Sequence, residues 1–278
     1  MRPFAFLGVR PFAAFILAAT ALLPIAHAQE TQETKESLPT VKEVLKASID
    51  AVGSPELLAS YKSRTAIGTM SIPAMQLSGP MKVYAAEPNI MLVDITIPGV
   101  GKSAQGYTGT VAWQDDPARG PSLMEGDVLD QFKREADYRK EENALTYYDE
   151  IKIVGVQEFN GHECLELHFK KGERNESRFY NRKTYLLEGS KGLYPTPMGE
   201  IPVQTVLSEY KDFGGIKVPT RTTMQMQSLG IEQILLISEV TFNDVDPAVF
   251  DLPPAIKALA SAPKETEEPK SAEESKDG

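Results

Sequence analysis

His162, Cys164, Glu166 and His168 form the densest run of reactive side chains in the sequence, and their period-two spacing puts all four on one face of a β-strand. Each is a metal-ligand type. Geometry argues against one shared site, because at about 3.3 Å per residue the two histidines stand roughly 20 Å apart. Zinc needs its ligands about 2.0–2.3 Å from a single ion. His27 is the only other histidine and Cys164 the only cysteine, so no neighbouring strand can complete a smaller site with either type. No metal and no cofactor is expected.

Other catalytic signatures fail on specific residues. Gly101-Lys102-Ser103 has the ending of a phosphate-binding loop, but Thr96 stands where that loop requires its first glycine, and the residues after Ser103 are patterned as a strand, not a helix. A Gly-x-Ser-x-Gly elbow is absent, and outside the N-terminal segment only the two histidines of one strand are present as bases. Asp115-Asp116 before Pro117 and Gly120 is accounted for by turn chemistry. Asn175-Glu176-Ser177 fits the glycosylation acceptor, a pattern too short to weigh. The expectation is a protein that is not an enzyme.

The elements that carry these residues begin behind a leader. Arg2 and Arg10, a largely apolar run from Phe12 to Ile25 and the small-x-small Ala26-His27-Ala28 are the three zones of a cleavable secretory signal over residues 1–28. Cleavage is expected before Gln29, releasing a soluble periplasmic or secreted protein with no integral membrane segment. Losing the two arginines takes the net charge from −10 to −12, which repels phosphate backbones and excludes nucleic acid as a partner. With a single cysteine, stability must come from a hydrophobic core.

Residues 29–37 read as a flexible lead-in, 38–258 as one domain and 259–278 as a disordered acidic tail of Lys, Glu, Ser, Ala and Pro. Thr40 and Glu43 have capping-box spacing ahead of a stripe through Val44, Leu45, Ile49 and Val52, and Gly53 with Pro55 ends that helix. A short helical turn from Pro55 to Tyr61 leads into the sheet. Alternation then predicts strands: Met75 to Val83, Met91 to Ile97 after Glu87-Pro88-Asn89, Lys102 to Tyr107 and Thr110 to Gln114. Ser122 and Glu125 predict the cap of a second helix, whose apolar face is Val128, Leu129, Phe132 and Ala136.

Strands resume with Ile151 to Glu158 and Glu163 to Phe169 around Asn160-Gly161, a strong hairpin signal. Arg178 to Tyr180, Tyr185 to Glu188, Val203 to Tyr210, Val218 to Gln227 and Ile231 to Phe242 come next. Roughly ten strands and two principal helices give a mainly β (α+β) class, a large curved antiparallel sheet with helices over its concave face.

Methionines are concentrated in these strands, although sheets favour β-branched and aromatic residues. Met75, Leu77, Met81, Val83, Met91, Val93, Met224 and Met226 are therefore the candidate wall of an adaptable apolar site. The same residues would also serve as filling between sheet and helix.

The order of elements resembles the bacterial outer-membrane lipoprotein carriers and receptors of the LolA/LolB type and their relatives. Asn160-Gly161-His162-Glu163-Cys164, Phe179-Tyr180-Asn181-Arg182-Lys183, Tyr210-Lys211-Asp212-Phe213-Gly214-Gly215 and the closing Phe250-Asp251-Leu252-Pro253 carry the likeness. It implies an incomplete β-barrel whose hydrophobic cavity holds the acyl chains of lipids or lipidated proteins, with the Val128, Leu129 and Phe132 helix as lid. An arginine holding the lid closed is also implied, for which Arg64 and Arg119 are loose matches. The alternative is a cell-envelope interaction protein with a filled core and no ligand cavity, whose partners are envelope proteins.

Overall fold

Thr40 and Glu43 set the first boundary through reciprocal bonds: the Glu43 N–H donates to Thr40 Oγ1 at 3.3 Å, and the Thr40 N–H donates to Glu43 Oε2 at 2.7 Å. Helix α1 (Val41–Val52) begins there, burying Val44 and Leu45. Gly53 ends it where a Cβ would stand 2.5 Å from Ile216 Cδ1, so the helix end lies close against the sheet. The computed structural model describes residues 38–262 except 197 and 198. The expected signal segment, the lead-in and residues 263–278 lie outside the described residues.

After α2 (Pro55–Ser60) come β1 (Ser63–Ile72), β2 (Leu77–Ala86), β3 (Ile90–Ile97), β4 (Gly101–Tyr107), β5 (Ala112–Asp116) and β6 (Gly120–Leu123). Helices α3 (Gly126–Ala136) and α4 (Ala144–Tyr147) interrupt the strands. The sheet resumes with β7 (Glu150–Phe159), β8 (His162–Lys171), β9 (Arg174–Asn181), β10 (Leu187–Thr196), β11 (Gly199–Phe213), β12 (Ile216–Met226) and β13 (Ile231–Phe242), and α5 (Pro254–Ser261) is last.

All thirteen strands belong to one antiparallel sheet, open and curved, in the order β6-β5-β4-β3-β2-β1-β13-β12-β11-β10-β9-β8-β7. Every neighbouring pair is consecutive in sequence except β1 with β13. The chain therefore reaches one edge of the sheet at β6 and restarts at the opposite edge with β7. Its connection, residues 124–149 with α3 and α4, has to cross the open side of the half-barrel.

Directly opposed residues of an antiparallel pair share a face. Met81 opposes Gly68 and Ile95, Met70 opposes Leu235, Leu235 opposes Thr222, and Thr205 opposes Met224 and Ser190. Ser190 opposes Arg178, which opposes Leu167. One concave face thus runs from β3 to β8. At one end Tyr107 and Ala112 form a core with α3; at the other Leu165, Leu167, Phe169 and Tyr180 form one with Val44, Leu45 and Ala144.

Several sequence expectations are corrected. Met75 is not in a strand: Pro73–Met75 is a 3-10 turn, and Gln76 at φ 54 breaks the alternation before Leu77. Ser122 does not cap the second helix but lies in β6, accepting from Gln114 Nε2 at 3.2 Å; the helix starts at Gly126 with no side-chain cap. Tyr185 at φ 58 is a turn residue, and the strand expected at Tyr185 to Glu188 is instead Leu187–Thr196. There, Gly189 at φ 154 accommodates a bulge where a Cβ would fall 2.0 Å from the Thr205 carbonyl oxygen. Strands β1 and β6 add to the eleven segments expected and bring the sheet to thirteen. Helix α5, which the sequence did not announce, buries Ile256 against β6 and continues past residue 258.

Candidate ligand-binding cavity

Amphipathy of α3 decides what the crossover does. Val128, Leu129, Phe132 and Ala136 pack with Met91, Tyr107, Ala112 and Met124, a dry contact that fixes the helix to the β3–β5 wall. Its other flank is polar, and spacing of three and four residues aligns Gln131, Arg134 and Glu135 toward the opposite wall. Asp127 pairs with Arg174 of β9, which lies 3.6 Å from Glu200 of β11. One side of the crossover is thus held by apolar packing and the other by ion pairs.

Beneath the crossover lies a cavity of about 620 Å³, within the usual size range for small-molecule sites. Val203, Leu207, Thr222 and Met224 line its neutral part on β11 and β12. Glu176 and Arg178 of β9, with Arg134, Glu141 and Tyr148 of the crossover, line its charged part. The Tyr148 hydroxyl is the hub: Arg134 donates to it at 2.8 Å and Arg178 at 2.7 Å, and it donates to Glu176 at 3.1 Å. Arg178 also donates to Glu176 at 3.0 Å and to Glu141 at 3.0 Å. Its guanidinium stacks 4.3 Å from the Phe169 ring centre.

The electrostatics follow from this enclosure. Desolvation alone would raise the Glu176 carboxyl, but Arg178 and Arg134 outweigh it and hold the pKa below the ordinary value. Desolvation likewise opposes ionisation of Glu135, yet Lys140 at 2.7 Å and Arg134 bring it down to about 2. Glu135 keeps 29% of its side chain accessible although protein surrounds it, as befits a cavity wall. Burial raises the Tyr148 and Tyr180 phenols, which stay neutral.

Of the eight apolar candidates from the sequence, Met224 lines the cavity. Met226 shares its face of β12 but is not among the lining residues. Leu77, Met81, Val83, Met91 and Val93 share the concave face of β2 and β3 outside the cavity, with Met81 only 2% exposed and Met91 packed under Val128 and Leu129. Met75 is 56% exposed on its turn. Val128, Leu129 and Phe132 do lie on the crossover helix, facing the β3–β5 wall. Arg64 stands on the concave face with its guanidinium 5.5 Å from the Tyr138 ring of the crossover, whereas Arg119 lies in the β5–β6 turn.

Sequence reasoning missed Arg134, Glu141, Tyr148, Glu176 and Arg178. One signal was available: Glu176, Arg178 and Tyr180 alternate onto a single strand face, an unusual set for a buried wall.

His162, Cys164, Glu166 and His168 share the convex face. There His162 meets Glu188 and His168 meets Glu166, each at 3.1 Å. Cys164 is fully buried beside the stacked Phe159 and Phe179 rings. Among the described residues no group of three or more His, Cys, Asp or Glu side chains is placed to hold a metal ion.

No protein-family profile matches the chain, and no curated protein matches it by sequence. Solved structures do. A DUF1329 family protein from Desulfovibrio piger superimposes at a TM-score of 0.54 with 14% identity, over 77% of this chain and 98% of that one. A LolA superfamily protein from Nitrosomonas europaea gives 0.53 and 14%, over 77% and 99%. An outer membrane lipoprotein-sorting protein domain from Vibrio parahaemolyticus gives 0.51 and 12%, over 76% and 97%. The fold is LolA-like.

Proposed function

We propose that the protein is a non-enzymatic carrier or binding protein for lipids or lipidated proteins in the bacterial periplasm, holding acyl chains in the cavity under α3. The observation that carries this reading is the cavity itself, about 620 Å³ enclosed by a half-barrel of LolA-like fold and its crossover, with Val203, Leu207 and Met224 on its wall. An acyl chain gains about 0.8 kcal/mol for each methylene moved out of water, enough to retain a lipid in such a site. No described helix is long and apolar enough to cross a membrane.

Met81 is buried and Met91 packs under Val128 and Leu129, which supports a filling role for both, and the acyl site is therefore proposed at β10–β12. Envelope proteins that donate or receive the lipid are the partners this role calls for. The test is titration of the purified protein with a fluorescent fatty-acyl probe, where saturable uptake near one probe per chain supports carriage. A wild-type protein that takes up no probe would leave the interaction-protein reading.

A further inference from the structure

Arg178 is anchored on the sheet, whereas one of its two carboxylate partners is not. Glu176 lies two residues away on the same face of β9. Glu141 comes from the turn between α3 and α4, keeps 40% of its side chain exposed, and reaches in to Arg178 at 3.0 Å. Nearby on that face, Tyr180 is 1% exposed, with its buried hydroxyl close to Arg178.

With Glu141 withdrawn, Arg134, Arg178 and Lys140 face Glu135 and Glu176, one positive charge in excess, beside the Tyr148 hydroxyl at the charged end of the cavity. Val203, Leu207 and Met224 mark the other end.

We infer that the cavity takes an amphiphile with an anionic oxygen head group, carboxylate or phosphate monoester, which replaces the Glu141 carboxylate on Arg178 while an acyl chain lies along Val203, Leu207 and Met224. Glu141 is then an internal stand-in for the head group and a competitor of the ligand. This assignment rests on the carrier reading and adds to it the head-group chemistry.

The test is calorimetric titration of the purified protein with dodecanoate, dodecyl phosphate, neutral monolauroylglycerol and, as head without chain, acetate. Both anionic amphiphiles should bind one per chain, monolauroylglycerol about tenfold or more weakly, the scale of one charge-assisted contact, and acetate not measurably. Glu141→Gln should tighten dodecanoate binding about tenfold and Arg178→Gln weaken it at least as much. If Arg178→Gln does not fold, the Glu141→Gln arm carries the test alone.

Equal affinity for monolauroylglycerol and dodecanoate, unchanged affinity in Glu141→Gln, or acetate binding as well as dodecanoate would overturn the head-group assignment and leave carriage standing. Binding of none of the chained probes would remove the carrier reading and this inference with it.

Discussion

Arg134 on the crossover helix meets Glu176 on the sheet at 3.3 Å, and both bond to the same Tyr148 hydroxyl. Arg134 stands on the crossover and Glu176 on the sheet beneath it, so this contact ties the crossover to the cavity wall. Because each charge is enclosed, the network is sensitive to loss of a single member in a way that surface ion pairs are not.

Arg178→Ala removes the most enclosed cation, whose side chain is 9% exposed. It leaves Glu176 with Arg134 alone and Glu141 without its partner. Breaking such a pair should cost about 3–5 kcal/mol in urea unfolding. A loss below about 1 kcal/mol, typical of surface pairs, would mean that water already fills the network.

Acid should weaken the crossover in a defined window. The Glu135 pKa lies at about 2 when folded against an ordinary 4.5, so its stabilising contribution is complete above pH 4.5 and is lost as pH falls toward 2. Glu176 is depressed too and acts in the same direction. Urea midpoints measured from pH 6 to pH 2 should therefore fall in wild type and fall less in Glu135→Gln. Parallel curves for the two would refute the assignment of Glu135.

Met81→Asp and Phe132→Asp should unfold the domain, because both side chains are buried, at 2% and 9% exposure, where a carboxylate loses its water. Met224→Asp, on the cavity wall, should leave a cooperative thermal transition and abolish uptake of an acyl probe. A folded Met81→Asp protein would place open space where the structure has core.

Cys164 should be inert to thiol reagents in the native protein and react on unfolding. Desolvation pushes its thiol up to about 11, with the Glu188 charge adding to the effect, so almost no thiolate exists at neutral pH. Rapid labelling of the folded protein would show that the Phe159 and Phe179 cluster opens readily.

Local chemistry was readable in the sequence and long-range convergence was not. The Thr40 and Glu43 box announces α1 because both bonds lie within four residues. Asn160 at φ 51 and Gly161 at φ 79 announce the β7–β8 hairpin because the turn itself demands those residues. Strand β10 is hidden by Gly189 and Gly192; Gly189 marks a bulge where the Thr205 carbonyl comes close instead of a loop. Arg134, Glu141, Tyr148, Glu176 and Arg178 meet only because the chain leaves the sheet at β6 and re-enters at β7. Residue spacing carries no trace of that crossing. Met81, Met91, Met224 and Met226 lie on the concave face and Met75 on a turn, and their spacing does not tell which stretch of that face the α3 helix fills.

The central claim is that an acyl chain occupies the space between the crossover and β10–β12. Native mass spectrometry of the protein isolated from the cell envelope tests it most directly, alongside Met224→Asp prepared identically. Wild type should carry one lipid-sized mass per chain, identified as an acyl compound on release, and folded Met224→Asp should carry none. A wild-type protein that arrives empty and stays empty after incubation with acyl lipids, or a Met224→Asp protein loaded as fully as wild type, would contradict the account.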